Sequence, residues 1–182
     1  MARLPFLEKK DLKPEDQALL AREINLQKLL VHSPGAARAH HALGNYIRHE
    51  STIDTRLREM AILQVGWVMR SAYEWSHHVK IGFDFGVSED DIKKLIAESA
   101  GEETDLSLID KSVLRAAREM TLDGKLDNGT YAVLADHFSN EHLIDLLVTI
   151  SFYNSVVRFL AAAEMDVEES YQSYLDQFPL PD

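Results

Sequence analysis

Apolar positions along the chain recur at three- and four-residue intervals, and no run alternates over the length of a strand. Eight glycines and five prolines punctuate the pattern. It predicts an all-α bundle built around two buried central helices. Pro14 opens a first helix with Leu19, Leu20, Ile24, Leu26, Leu29 and Leu30 as its apolar positions, broken near Asn25. Ser33-Pro34 restarts the chain with a serine N-cap and a proline at the first helical position. That helix carries His40, His41, Leu43, Tyr46 and Ile47.

Ser51 to Asp54 has the S-x-x-D form of a capping box ahead of a central helix spanning 53–70. From Met60 to Met69 this helix is apolar on nearly every face, which predicts burial. Ser71 to Glu74 reads as a second capping box, with a break near 70 and a new helix over 72–85. Gly86 is its stop. Ser88 to Asp91 caps a helix running to Ala97, and a polar loop from Gly101 to Asp105 follows as a hinge inside one domain. Ser107 to Asp110 caps a helix ending near Gly124. Asp127 or Asn128 starts the next, through His137. Ser139 or Asn140 opens a long helix to Met165, and its stretch from Leu143 to Ala163 is the second buried helix. The acidic tail from Asp166 ends in Phe178-Pro-Leu-Pro and is expected to pack by its aromatic residues.

Composition narrows the classes. At 182 residues and 46% apolar, the chain suits one domain with a full core. No run of about eighteen uncharged apolar residues predicts a membrane span, and the start lacks the apolar segment and cleavage site of a signal peptide. A cytoplasmic location is therefore expected. With no cysteine there is no disulfide and no thiolate. The net charge of −11 argues against nucleic acid and anionic membrane as partners. The charge is uneven: residues 1–86 hold 12 Lys/Arg against 10 Asp/Glu, and residues 87–182 hold 7 against 20. A small anionic molecule would find Arg38, Arg48, Arg56, Arg58 and Arg70 in the first half. The same arginines can equally form local ion pairs on solvated helix faces.

The candidate chemistry lies in residues 59–78, where polar groups crowd an apolar run. Glu59 sits at the edge of that run. A buried carboxylate has a raised pKa and can shuttle protons, or it can pair with Arg56, Arg58 or a distant arginine. Glu74 and His78 are four apart and share a helix face, the spacing at which a carboxylate orients an imidazole. Glu74 could instead complete the cap with Ser71 or pair with Arg70. Glu74 and His77 form E-x-x-H, as in di-iron bundles, but no second such motif accompanies it. No metal site and no cofactor are expected. His40-His41, His137 and His142 lack ligand spacing and read as core or surface histidines. No nucleophile elbow, phosphate loop or dinucleotide fingerprint is present.

The stretch Arg58-Glu59-Met-Ala-Ile-Leu followed by Tyr73-Glu74-Trp75-Ser-His77-His78 resembles the carboxymuconolactone decarboxylase family, within the alkylhydroperoxidase D-like superfamily. The similarity extends through Gly86-Val-Ser-Glu-Asp-Asp-Ile92 and Phe152-Tyr-Asn154, and together covers most of residues 25–165. In redox members a glutamate precedes a C-x-x-C pair, with a histidine four residues after the second cysteine. Glu59 and His78 match that glutamate and histidine, while Ser71 and Glu74 occupy the cysteine positions. A serine and a carboxylate cannot cycle between dithiol and disulfide. Either the replaced pair has become a structural cap, or Glu74 is a new catalytic carboxylate beside His78.

The resemblance implies an alkylhydroperoxidase D-like helical fold and a homo-oligomer, a trimer or hexamer. It implies lyase-type acid/base chemistry on a small carboxylated or lactone substrate. In that reading Glu59, Glu74 and His78 are catalytic. Arg70 is the carboxylate clamp, and Ser71, Tyr73, Trp75, His77 and Asn154 line the substrate. The rivals are a peroxiredoxin-like antioxidant protein, which would need cysteine from a partner, and a non-catalytic oligomeric binding protein.

Overall fold

The computed structural model describes residues 2–181, and every regular element among them is helical. Two 3-10 segments, Lys9–Asp11 and Pro14–Leu20, precede α1 (Asn25–Leu30) and α2 (Pro34–Asn45). The first expected helix is thus split, since the chain leaves helical geometry between Ala21 and Ile24. A single π-helical turn, Tyr46–Glu50, extends α2. Then come α3 (Thr55–Val68), α4 (Ala72–Asp84), α5 (Glu89–Ser99), α6 (Leu108–Leu122), α7 (Asn128–His137) and α8 (Asn140–Ala162). A short 3-10 turn, Glu169–Tyr171, leads into α9 (Gln172–Gln177).

The central helix is apolar all round because it is packed all round. Leu57, Ala61, Ile62 and Val65 of α3 meet Val113, Ala116 and Ala117 of α6 and Leu146, Ile150, Tyr153 and Val157 of α8. On its other side Met60 and Leu63 join Trp75 and Val79 of α4, Ile92 and Leu95 of α5, Leu114 and Phe178. Every residue from Leu57 to Gly66 is buried. Gly66 lets α4 approach closely, since a Cβ there would lie 3.3 Å from the Trp75 nitrogen. α8 is long and apolar enough to cross a membrane, yet half of its apolar stretch is buried inside the protein, as in the core helix of a bundle. The tail packs as expected: Phe178 is buried and its carbonyl accepts a 2.7 Å hydrogen bond from Trp75 Nε1.

Caps divide into those that form and those that do not. Ser88 and Ser107 each accept from the backbone N–H three residues on, and Asp91 and Asp110 reach back in reciprocal capping boxes. Asp127 and Ser139 also cap their helices. Ser51 does not. Its hydroxyl donates to Asp145 of α8 at 2.5 Å, and Asp54 caps α3 instead by accepting from the Leu57 nitrogen at 2.8 Å. Ser71 occupies the N-cap position of α4 without a side-chain capping bond, and the Glu74 carboxylate turns to His78 rather than back to the cap.

The turn between α3 and α4 decides where Arg70 points. Arg70 N–H donates to Trp67 O at 3.1 Å and Ser71 N–H to Gly66 O at 2.9 Å, the paired bonds of a Schellman motif. Arg70 thereby takes the left-handed position usually given to glycine, at φ 49°. Its side chain is exposed.

Candidate functional site

The α3–α4 pairing brings Glu59 and His78 together at the buried heart of the bundle. His78 Nδ1 lies 2.7 Å from Glu59 Oε2, and its Nε2 lies 3.0 Å from Glu74 Oε1. Both ring nitrogens therefore face carboxylates, an arrangement that suits an imidazolium donating from each. Glu59 Oε1 in turn accepts from Arg58 Nε at 3.1 Å and Nη2 at 2.9 Å. Arg58 and Glu59 are fully buried, and Glu74 and His78 are buried. The remaining guanidinium nitrogen donates to the carbonyls of Ile47 and Arg48 at 3.4 and 3.2 Å. Arg58 also stacks its charge 4.5 Å over the Phe85 ring. Arg56, the other sequence-adjacent candidate partner for Glu59, engages Asp91 and Asp110 instead.

The electrostatics follow from this clamp. Burial opposes charge on His78, but Glu59 and Glu74 outweigh it and its pKa is pushed up to about 9. Burial likewise opposes charge on Glu59, yet the His78 and Arg58 cations hold its carboxyl below the ordinary range. The raised pKa expected for a buried Glu59 is therefore reversed by its partners. The site holds an ion network of two carboxylates, an imidazolium and a guanidinium.

A pocket opens on one side of that network. Its enclosed part is about 60 Å³ and its lining includes Glu74, His78, Tyr153, Phe152, Arg48 and His41. Glu59 stays behind His78 on the core side and does not line it. The Tyr153 ring meets the His78 ring edge-on at 4.9 Å, and burial with the Glu59 and Glu74 charges pushes its phenol pKa up. Tyr153 is thus a neutral hydroxyl at the pocket.

His77 faces the tail. It is sandwiched between Tyr73 and Tyr171, with ring centroids 4.0 and 3.6 Å away. Its Nδ1 lies 2.8 Å from the Tyr73 carbonyl and its Nε2 lies 3.2 Å from Glu168. Glu168 also accepts from the Tyr73 hydroxyl at 3.0 Å and from the Asn25 nitrogen at 2.6 Å. Tyr73 and His77 both line the pocket, so this stack forms one of its walls.

Four expected substrate residues lie elsewhere. Arg70 and Ser71 border a separate groove with Glu164 and Met165, because the α3–α4 turn directs them outward. Trp75 is fully buried in the core and bonded to Phe178. Asn154 donates to Thr121 and to the Ile150 carbonyl and accepts from Arg158, tying α8 to α6 away from the pocket. Conversely, the pocket recruits His40, His41, Arg48 and Tyr153. The two histidines lie about a turn and a half before the π-helical segment, with the His40 ring against Phe152 of α8, and Tyr153 sits inside the Phe-Tyr-Asn stretch. Among the described residues no cluster of histidine and carboxylate groups could hold a metal ion.

Residues 34–102 match the family model described as the carboxymuconolactone decarboxylase family. No curated protein matches the chain. Solved structures do. One is an uncharacterized peroxidase-related protein from Ralstonia eutropha JMP134, described as an alkylhydroperoxidase AhpD core. It is 16% identical with a TM-score of 0.77, over 96% of this chain and 95% of that one. A second is a cysteine-to-alanine variant of the debrominase Bmp8 in complex with 2,3,4-tribromopyrrole, at 18% identity and a TM-score of 0.79, over 97% of this chain and 99% of that one. A third, an uncharacterized peroxidase-related protein from Silicibacter sp. TM1040, is 19% identical with a TM-score of 0.65, over 81% and 78% of the two chains. The fold is that of the AhpD-like proteins.

Proposed function

We propose that this chain, whose residues 34–102 match the carboxymuconolactone decarboxylase family model, performs lyase-type acid/base chemistry on a small carboxylated or lactone substrate. The observation behind the reading is the His78 ring, held between two carboxylates at the edge of a pocket. With a pKa near 9 the ring carries a proton at neutral pH and is a proton donor of fixed orientation. Glu59 holds Nδ1 from the core side, so the proton leaves on the pocket side, from Nε2 or through Glu74. In a decarboxylation the bond to the departing carboxylate breaks and its electron pair passes to the carbon left behind. That carbon takes the proton from the imidazolium, carbon dioxide leaves, and solvent reprotonates the ring. The neutral Tyr153 hydroxyl supports the reading as a hydrogen-bond donor for charge developing on the substrate.

This geometry favours the catalytic-carboxylate role for Glu74 over the capping role, since Glu74 bonds His78 while Ser71 caps nothing. A peroxiredoxin-like cycle has no support from these residues, because the chain lacks cysteine. The reading includes a homo-oligomer. Leu43 and Ile144 are exposed and share an open apolar groove with Leu147, Val148 and Phe152 on the outward side of α2 and α8, the kind of surface that marks contact sites. Light scattering that returned a monomer at working concentrations would remove that part.

The chemistry is tested by incubating the protein in D2O with a panel of small lactones and unsaturated carboxylates. Carbon dioxide release and deuterium uptake are followed by NMR. The wild type should turn over at least one compound, and His78→Asn should slow it by about 100-fold or more. Equal rates in the two proteins would overturn the assignment.

A further inference from the structure

The pocket that His78 and Glu74 line also holds cationic and neutral groups with buried nitrogens that find no partner among the described residues. The Arg48 Nε and His41 Nε2 atoms are buried and without a hydrogen-bond partner. Among the described residues the Arg48 side chain makes no ion pair, and neither does Arg22 at the pocket rim. An arginine nitrogen left dry and unpaired is costly unless an anion completes it. His41 is kept neutral by burial first and then by Arg48 and Arg22, which lower its pKa. Burial and the neighbouring His41 similarly bring His40 down to about 4. At neutral pH these residues therefore offer the pocket two guanidinium groups and an uncharged imidazole.

Arg48 is placed there by an irregularity. The π-helical turn Tyr46–Glu50 is closed by the Ser51 nitrogen on the Tyr46 carbonyl at 2.9 Å, and such turns often build functional sites. The Arg48 carbonyl accepts from Arg58 Nη1 while the same guanidinium holds Glu59. One buried arginine thus ties the Arg48 turn to the Glu59–His78 network. Other parts of the lining are apolar and aromatic: Phe152, its ring tilted against His40 at 4.8 Å, with Ile24, Ile81 and Val156.

We infer that Arg48, with Arg22 and His41, forms a carboxylate-binding subsite that anchors a non-reacting carboxylate and directs the apolar body of the ligand along Phe152 toward His78. The assignment deepens the acid/base reading and rests on the pocket being the substrate site. The ligand class is a small, flat, unsaturated monocarboxylate whose reactive carbon lies at the end remote from that carboxylate. A bidentate guanidinium contact suits a carboxylate better than it suits a neutral carbonyl.

Crotonate and its neutral isostere crotonamide, titrated calorimetrically into the full-length protein, test this. Crotonate should bind the wild type, and crotonamide should bind more weakly. Arg48→Gln should weaken crotonate at least 10-fold and leave crotonamide unchanged. Arg22→Gln, at an exposed position that does not threaten folding, should weaken crotonate in the same direction. Wild-type binding that ignores both substitutions, or no crotonate binding at all, overturns the subsite. His78→Asn separates this from the catalytic reading, since it should keep Arg48-dependent crotonate binding while losing turnover. If it keeps both, the subsite stands and the acid/base role falls.

Discussion

Glu59 and His78, nineteen residues apart in the chain, share a 2.7 Å hydrogen bond inside the bundle. The bond fixes the ring's orientation and favours its charged form, and it depends on α3 and α4 packing face to face. On the far oxygen of Glu59 the Arg58 guanidinium closes the network. Four ionisable groups are held out of water by their own mutual satisfaction, which is costly to break at any single member.

Arg58→Met should therefore destabilise the protein by about 3–5 kcal/mol, because it leaves Glu59 short of a cation and two backbone carbonyls short of a donor. Urea unfolding measures it. A loss below about 1 kcal/mol would mean that Glu59 is satisfied by His78 alone.

Stability should also follow the charge of His78. Its folded pKa, near 9, lies above the ordinary value of 6.5, so its contribution is complete below about pH 6.5. It fades as pH rises toward 9. The difference amounts to something on the order of 3 kcal/mol. Glu59 is shifted the other way, so its contribution is present above its ordinary value of 4.5 and is lost as pH falls through the depressed value. Thermal melts from pH 4 to 10 should show a decline between 6.5 and 9 in the wild type, and His78→Asn should remove it.

Ser88→Ala should cost about 0.5–2 kcal/mol through the loss of a reciprocal cap. Ser71→Ala should cost less than about 0.5 kcal/mol, because its hydroxyl caps nothing. Equal losses by chemical denaturation would restore the capping role to Ser71.

The contrast between these serines marks what could be read from the chain. Ser88 and Ser107 are local: their partners lie three residues away, and the S-x-x-D pattern suffices. Ser51 has the same pattern, but Asp145 of α8 captures its hydroxyl from 94 residues away. Likewise, the burial of α3 was legible in its all-round apolar pattern, and Glu59 and His78 stood out as candidates by their resemblance to a known motif, though their contact was not given by it. The cationic part of the pocket lining was not legible. Arg48 reaches the pocket through a π-helical turn that hydrophobic periodicity does not reveal, and His40 and His41 join it through the packing of α2 against α8. Arg70, chosen for its nearness in sequence, is turned away by a Schellman motif whose backbone geometry no side-chain pattern announces.

Arg70→Gly should consequently leave activity and crotonate binding unchanged. Glycine relieves the left-handed strain at φ 49°, worth about 1–2 kcal/mol, and returns about 0.5–1 kcal/mol in chain entropy. Stability should therefore stay level or rise slightly. A fall in activity without a fall in melting temperature would move the anion clamp back to Arg70.

The central claim is that His78 stands at the pocket as an imidazolium held by Glu59 and Glu74. Its ring nitrogens can be followed by NMR in uniformly 15N-labelled protein from pH 5 to 10, with His78→Asn assigning the signals. The account predicts both nitrogens protonated through pH 8 and a midpoint near 9. A ring that titrates at or below 6.5, or that is a neutral tautomer at pH 7, would contradict it.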